Sequence, residues 1–439
     1  MTNFDFNNFQ NIVDNADTFN YYGKVSRITG LTVESIGPLT QIGEVCEITS
    51  LDGNTKVMAE VTGFRDNKVI LMPYGSMGGI GSGSKVVSTK KSLQVRISED
   101  LKGRILDGLG RPIDGKGDIE GGEFFPTDNT PPNPMKRKRI KDILPLGIKA
   151  LDGLITCGTG QRVGIFAGSG VGKSTLLGMI ARNAEADINV IILVGERGRE
   201  LNDFIEKDLK AEGLKKSIIV VATSDQPALI RLKSAMVGTA IAEYFREKGK
   251  NVLLMMDSVT RFAMAQREIG MAIGEPPVSR GYTPSVFTEL PKLLERAGTS
   301  EKGTITGLYT VLVDGDDLNE PITDAVRGIL DGHIVLSRAL ANKNHYPAID
   351  VLASISRLMS DIVTDEHKAA ANFVKNKMAV YRNAEDLINI GAYKSGANPE
   401  IDEAVAVHGQ IEQFLLQRVG ETFEFEDILK ELESIGKEA

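Results

Sequence analysis

Between residues 22 and 93, apolar and polar positions alternate in short runs at 23–28, 31–35, 43–48, 56–64, 68–72 and 85–88, separated by Gly, Pro, Asp and Asn. Period-two alternation is the pattern of a half-buried strand, because successive side chains point to opposite faces. Six such strands at close spacing predict a small closed β-barrel, which leaves no unpaired edge. From 94 to 360 the pattern changes. Continuous apolar runs at 163–166, 189–194, 217–222, 251–256 and 305–313 alternate with helical patterns, which predicts a parallel sheet covered by helices on both faces. One helix is expected over 227–248, with Asp225 near its N-cap, Pro227 in its first turn and Gly249 just past its end. After Ser360 strand signals stop, and 361–439 reads as a helical domain. One of its helices starts at Asn398-Pro399 and is expected to carry Ile401, Val405, Ile411 and Leu415 on one side. At the other terminus, Phe6, Phe9 and Val13 recur at helical spacing. A helix so short is marginal alone, so residues 1–21 read either as a segment that needs a partner or as a frayed end. The fold class is α/β, with a barrel before the parallel-sheet domain and helices after it.

Length and charge narrow the function. A chain of 439 residues exceeds one ordinary core, in keeping with several domains. Its net charge of −8, with no strongly basic half, argues against nucleic acid as a partner. The basic run Lys136-Arg137-Lys138-Arg139 follows a Pro-rich stretch and reads as a solvated linker. Only Cys46 and Cys157 occur, far apart, which suggests neither a disulfide framework nor a zinc site and fits a reducing cytoplasm. The first twenty residues are polar and acidic, without the apolar centre of a secretion leader. No window approaches the roughly 18 consecutive apolar residues of a membrane span. A cytoplasmic protein that docks peripherally on a membrane assembly is the expectation. The four histidines, His333, His345, His367 and His408, fall in different elements and read as structural. Asp314, Asp316, Asp317, Asn319 and Glu320 resemble the start of a calcium loop, but Leu318 and Ala325 occupy ligand positions, so an acidic turn is the better reading.

The most specific chemistry lies at 164–175, GIFAGSGVGKST. An apolar strand enters a turn of small residues, Gly168, Ser169, Gly170, Val171 and Gly172, and a helix opens at Lys173, Ser174 and Thr175. Backbone N–H groups converging at a helix N-terminus make a polyphosphate cradle. Lys173 is placed to reach the β- and γ-phosphates and Ser174 to ligate Mg²⁺, so the expected ligands are ATP and Mg²⁺. Ala167 stands where the strict pattern has Gly. Having a Cβ, it must keep ordinary backbone angles.

In an open parallel sheet, working residues gather just past the carboxyl ends of the strands. After 190–194 comes Glu196, a carboxylate that can deprotonate a water for in-line attack, although a solvated charged loop fits the same residues. After 252–256 comes Asp257, an acid closing an apolar strand, as a Mg²⁺ partner requires, with Ser258, Thr260 and Arg261 behind it. Arg261 is a candidate for sensing the γ-phosphate. Tyr346-Pro347-Ala348 and Ser354-Ile355-Ser356-Arg357 follow the last apolar run. By spacing alone Arg357 is a surface cation.

The segment from Thr156 to Ser174 (TCGTGQRVGIFAGSGVGKS), the VGERGRE run and MDSVTRFAMAQREIGMAIGEPPVSRGYTPS together resemble the ATPases of type III protein export. The likeness runs from about Tyr22 to the C-terminal helices. That family is similar to the catalytic subunit of the rotary ATP synthases, which implies a barrel at 22–93, a RecA-like ATPase domain at 94–360 and a helical domain at 361–439, in a homohexameric ring. By the same resemblance Glu196 is the general base, Asp257 the metal-side carboxylate, Arg357 an arginine acting on the neighbouring subunit's nucleotide, and Tyr346 the ring that packs on adenine. Implied partners are a stator-like regulator at the N-terminal segment, a central stalk protein, membrane proteins of the export gate, and export substrates with their chaperones. AGSGVGKS with the GDD loop leans toward the flagellar branch over the injectisome. A non-catalytic ring subunit, a nucleic-acid translocase and a rotary synthase are weaker readings: Glu196 is present, a basic aromatic platform is absent, and the wording of VGERGRE and GEPPVSRGY is that of export.

Overall fold

A computed structural model of the chain describes residues 21–313, 317 and 319–436. The amphipathic segment expected before Tyr21 lies outside them, as do Asp314, Gly315 and Asp316 of the acidic turn. The chain forms two compact units, 1–93 and 94–439.

In the first unit β1 (Gly23–Thr29), β2 (Thr32–Ile36), β3 (Glu44–Thr49), β4 (Lys56–Arg65), β5 (Lys68–Pro73) and β6 (Lys85–Ser92) close into a barrel in the order β1-β2-β5-β4-β3-β6, every pair antiparallel. Val33, Cys46, Ile48, Ala59, Val61 and Leu71 fill it. All six strands fall within two residues of the alternating runs, apart from the end of β6. There the register shifts after Ser88, and Ser92 rejoins β3 opposite Glu44, with no apolar signal.

The second unit begins with a ribbon of β7 (Gln94–Ile97) and β9 (Glu123–Pro126), between which lies β8 (Ile105–Asp107). Its main sheet adds β10 (Arg162–Ala167), β11 (Ile188–Glu196), β12 (Ser217–Thr223), β13 (Asn251–Asp257), β14 (Gly298–Thr299), β15 (Thr304–Leu312), β16 (Gly332–Leu336) and β17 (Ile355–Ser356). The order is β17-β16-β10-β15-β13-β11-β12-β8, with β14 on β15, and all neighbours from β16 to β8 run parallel. Every residue of β11 is buried, as a strand covered on both faces requires. The parallel-sheet α/β architecture read from the sequence is therefore the one observed. Strands β8, β14, β16 and β17 escaped that reading because each is short or half-polar.

The helix Ala228–Glu247 packs across β11, β12 and β13. Pro227 is its N-cap residue, not a member of the first turn as expected, and Gly249 stands beyond its end at φ +81°. The helix Pro399–Leu415 is capped by Asn398, whose side chain accepts from the Glu400 N–H at 2.9 Å. Its buried face differs from the expected one. Ala404, Val407, Ile411, Phe414 and Leu415 are buried, whereas Val405 is 42% exposed. Steps of three and four back from Ile411 reach Val407 and Ala404; a step of six turns Val405 off that face. Phe414, Ile428 and Leu432 share one apolar core with Leu176 and Ile180 behind the phosphate loop, so the C-terminal helices belong to the second unit. No helix among the described residues is long and apolar enough to cross a membrane.

Candidate active site

The loop after β10 has the form its sequence demands. Ala167 ends the strand, buried, and is not among the residues with positive φ. The left-handed positions are Gly170 at +79° and Gly172 at +86°, and Gly172 is the N-cap of the helix Lys173–Asn183. Ser169, Gly170 and Ser174 are exposed while Gly168 and Val171 are buried, so the loop turns one side to solvent. A helix beginning here presents unpaired N–H groups and the positive end of its dipole to an anion.

Opposite the loop stand the ends of β13 and β11. β15 and β13 separate β11 from β10, and strand spacing alone puts these two about 14 Å apart. Long side chains close that gap. Lys173 Nζ lies 2.5 Å from Asp257 Oδ1 and 3.9 Å from Glu196 Oε1. Thr310 Oγ1 on β15 donates to the same Asp257 oxygen at 2.7 Å, so that carboxylate is fixed from two sides. Arg261 sits 3.4 Å from Glu196 Oε1 and donates to the Gly195 carbonyl. It is thus engaged with the Glu196 loop itself. Ser258 caps the helix Val259–Ile273 by accepting from Arg261 N–H at 3.3 Å, and Thr260 Oγ1 accepts from Leu312 N–H at 2.9 Å.

A bulge between Val194 and Glu196 in the pairing with β12 re-aims the Glu196 side chain. Gly195 supplies it at φ +67°, and a Cβ there would stand 3.2 Å from Arg261 Cδ. Glu196 is 8% exposed. Burial and the neighbouring Asp257 carboxylate push its pKa up to about 7, a hydrogen bond with Glu200 adds to the rise, and Lys173 and Arg261 oppose it. A carboxyl group poised near neutrality can accept a proton from water at physiological pH.

Beside the loop opens a cavity of about 990 Å³ lined by Gly170, Gly172, Thr175, Tyr346, Gln417 and Phe423, among others. Tyr346, 40% exposed, turns its ring toward Gly172, where a Cβ would meet it at 3.4 Å. Gln417 and Phe423 come from the connection between the helices Pro399–Leu415 and Phe425–Ser434 and carried no sequence signal.

Arg357 is not brought to this cluster. Ser356 pairs with Gly332 at the amino end of β16, near the start of β10, about 13 Å along the strand from Ala167. Arg357 is exposed there, its guanidinium donating to the Arg327 carbonyl at 3.3 Å.

Residues 147–356 match the nucleotide-binding domain of the ATP synthase alpha/beta family, 25–90 its beta-barrel domain, and 363–434 the type III secretion EscN ATPase C-terminal domain. The chain is 57% identical over 96% of its length, and 97% of the relative's, to a flagellum-specific ATP synthase of Bacillus subtilis. It belongs to the ATP synthase alpha/beta family, among its type III export ATPases. A type 3 secretion system ATPase of Xanthomonas euvesicatoria is 49% identical over 95% of both chains. The solved structure of the assembled ATPase EscN from the enteropathogenic E. coli type III secretion system superposes with a TM-score of 0.88 at 45% identity, over 94% of this chain and all of that one. A second structure, also at 0.88, holds EscN in complex with its central stalk EscO. As a member of this family the chain is an ATPase.

The donor set suits a metal held jointly with its substrate. No group of three or more His, Cys, Asp or Glu side chains gathers for a metal among the described residues. Ser174 and Asp257 would offer a hydroxyl and one carboxylate, a set that fits Mg²⁺ when phosphate and water complete its shell.

Proposed function

We propose that this ATPase hydrolyses Mg-ATP to energise type III export of flagellar proteins, releasing and unfolding substrates and feeding them into the export gate. One observation carries the chemistry: Lys173, Asp257 and Glu196 converge within 4 Å beside a phosphate loop. The loop amides of 168–173 and Lys173 hold the triphosphate, Thr175 follows them into the helix, and Tyr346 packs on the base. Ser174 and Asp257 would hold Mg²⁺, which would supply positive charge to neutralise the phosphates. Glu196 takes a proton from water as its oxygen bonds to the γ-phosphorus, and the bond to the β-phosphate oxygen breaks to leave ADP. Arg261 keeps Glu196 aimed. Arg357, exposed and remote from its own loop, completes the neighbouring subunit's site in a homohexamer, where an arginine is worth about 10³ to 10⁵ in rate.

The flagellar reading rests on the identity to flagellum-specific relatives. With it come a cytoplasmic location at the membrane export apparatus, a stator-like regulator on the N-terminal segment, a central stalk, export-gate membrane proteins, and substrates with chaperones. The likeness to EscN favours an injectisome as the second reading. A chromosomal deletion scored for motility and for secreted proteins separates them. Loss of swimming, restored by the wild-type gene but not by one carrying Lys173→Ala, is expected; a motile deletion strain deficient in another secretion would reverse the assignment.

A further inference from the structure

Arg357 is mounted on residues far from any phosphate. Its backbone N–H donates to the Asp331 carbonyl at 3.1 Å, and Asp331 N–H donates to the Arg162 carbonyl at 2.8 Å. The Asp331 carboxylate grips the Arg162 guanidinium through Nε at 3.0 Å and Nη2 at 3.1 Å. Next to Arg162 lies Gln161, fully buried. Its amide nitrogen donates to the Asp331 carbonyl and to Ser356 Oγ, both at 3.1 Å, and its amide oxygen accepts from Gly158 N–H at 2.9 Å. Ser356 Oγ in turn donates to the Thr156 carbonyl at 2.8 Å.

The Gln161 amide therefore directs both donors at Asp331 and Ser356, the two residues that hold the Arg357 backbone, while its oxygen is anchored on the turn at Gly158. A buried amide so satisfied has one low-energy orientation, because leaving any of these groups unpaired costs a desolvation penalty. The residue immediately before Arg357 and the carbonyl that accepts from Arg357 N–H are both held by this single side chain. Arg357 itself is exposed, and its side chain donates one hydrogen bond among the described residues, to the Arg327 carbonyl. Its reach toward another subunit is then set by its backbone, and its backbone is set by Gln161.

We propose that Gln161 is a positioning residue for Arg357: it fixes the Ser356–Arg357 backbone so that the guanidinium is presented at one place and angle to the neighbouring subunit's nucleotide. The inference rests on Arg357 acting in trans. A displacement of about 1 Å at such a group costs on the order of a hundredfold in rate.

The test is a double-mutant cycle on the full-length ATPase, with Gln161→Met and Arg357→Ala separately and together. Gln161→Met keeps the length and burial of the side chain and removes its hydrogen bonds. It is expected to lower kcat by roughly tenfold to a hundredfold, with KM for ATP and binding of a fluorescent ATP analogue within about twofold, since its own loop is untouched. In the Arg357→Ala background the same substitution is expected to change turnover by less than about twofold. An equal loss in both backgrounds, a wild-type kcat, or a KM rising in step with the loss of kcat would overturn the proposal. Should Gln161→Met unfold, Ser356→Ala, which removes only the hydroxyl partner, carries the same comparison. If Arg357→Ala alone retains wild-type turnover, it is the action in trans that fails, a result distinct from any of these.

Discussion

Glu196 and Gly195 are a unit at the scale of single residues, since the glutamate points where it does only because the glycine before it takes φ +67° under the Arg261 side chain. Gly195→Ala brings strain of about 1–3 kcal/mol and pushes Arg261 and Glu196 out of register. The expected result is a fall in kcat of at least tenfold with nucleotide affinity retained, read by steady-state kinetics against equilibrium binding. The raised pKa of Glu196 gives a second expectation. A general base must be ionised, and here burial and Asp257 hold its proton up to about pH 7 in the free enzyme. The sign follows directly: kcat/KM should climb as pH rises through neutrality, and Glu196→Gln should flatten that limb. Much of this site was legible in the sequence, because strand–loop–helix and acid-after-strand patterns fix which residues meet at one end of a sheet. Thr310 was not, since a threonine inside an apolar strand looks like any other; nor was the Arg261 contact with Gly195, which needs the bulge to exist first.

Among the elements, long apolar runs announced the central strands and short polar ones stayed silent. β11, β12 and β13 lie buried on both faces and read as unbroken apolar stretches. β17 has two residues, one of them exposed, and exists because Gln161 and Ser356 tie it to its neighbours. The Pro399–Leu415 helix was found by its cap, yet its buried face was misjudged because Ile401 and Val405 are apolar without being buried. Packing between elements also hides a charge pair that no periodicity reveals. Arg296 and Glu243 meet at 2.6 Å, 4% and 2% exposed, joining the Ala228–Glu247 helix to the end of Pro284–Glu295. Glu243→Ala would leave a buried guanidinium uncompensated. A loss of about 3–5 kcal/mol is expected, measured as a lowered midpoint in denaturant unfolding; a loss under about 1 kcal/mol would mean that solvent reaches the pair.

For the whole molecule, the separation of Arg357 from the phosphate loop of its own chain is the feature with the largest consequence. An active site assembled from two subunits should gain specific activity as protein concentration rises and rings form. Wild-type turnover per subunit is expected to increase with concentration toward a plateau, while Arg357→Ala assembles as the wild type does, by light scattering, and stays low throughout. The chemistry itself depends on Glu196, and the most direct measurement is Mg-dependent phosphate release by the wild type beside Glu196→Gln, with binding of a fluorescent ATP analogue followed in both. Phosphate release should fall by about 10²- to 10⁴-fold in the amide variant with binding unchanged. Undiminished release from a variant that binds nucleotide normally would contradict the assignment of Glu196 as the base.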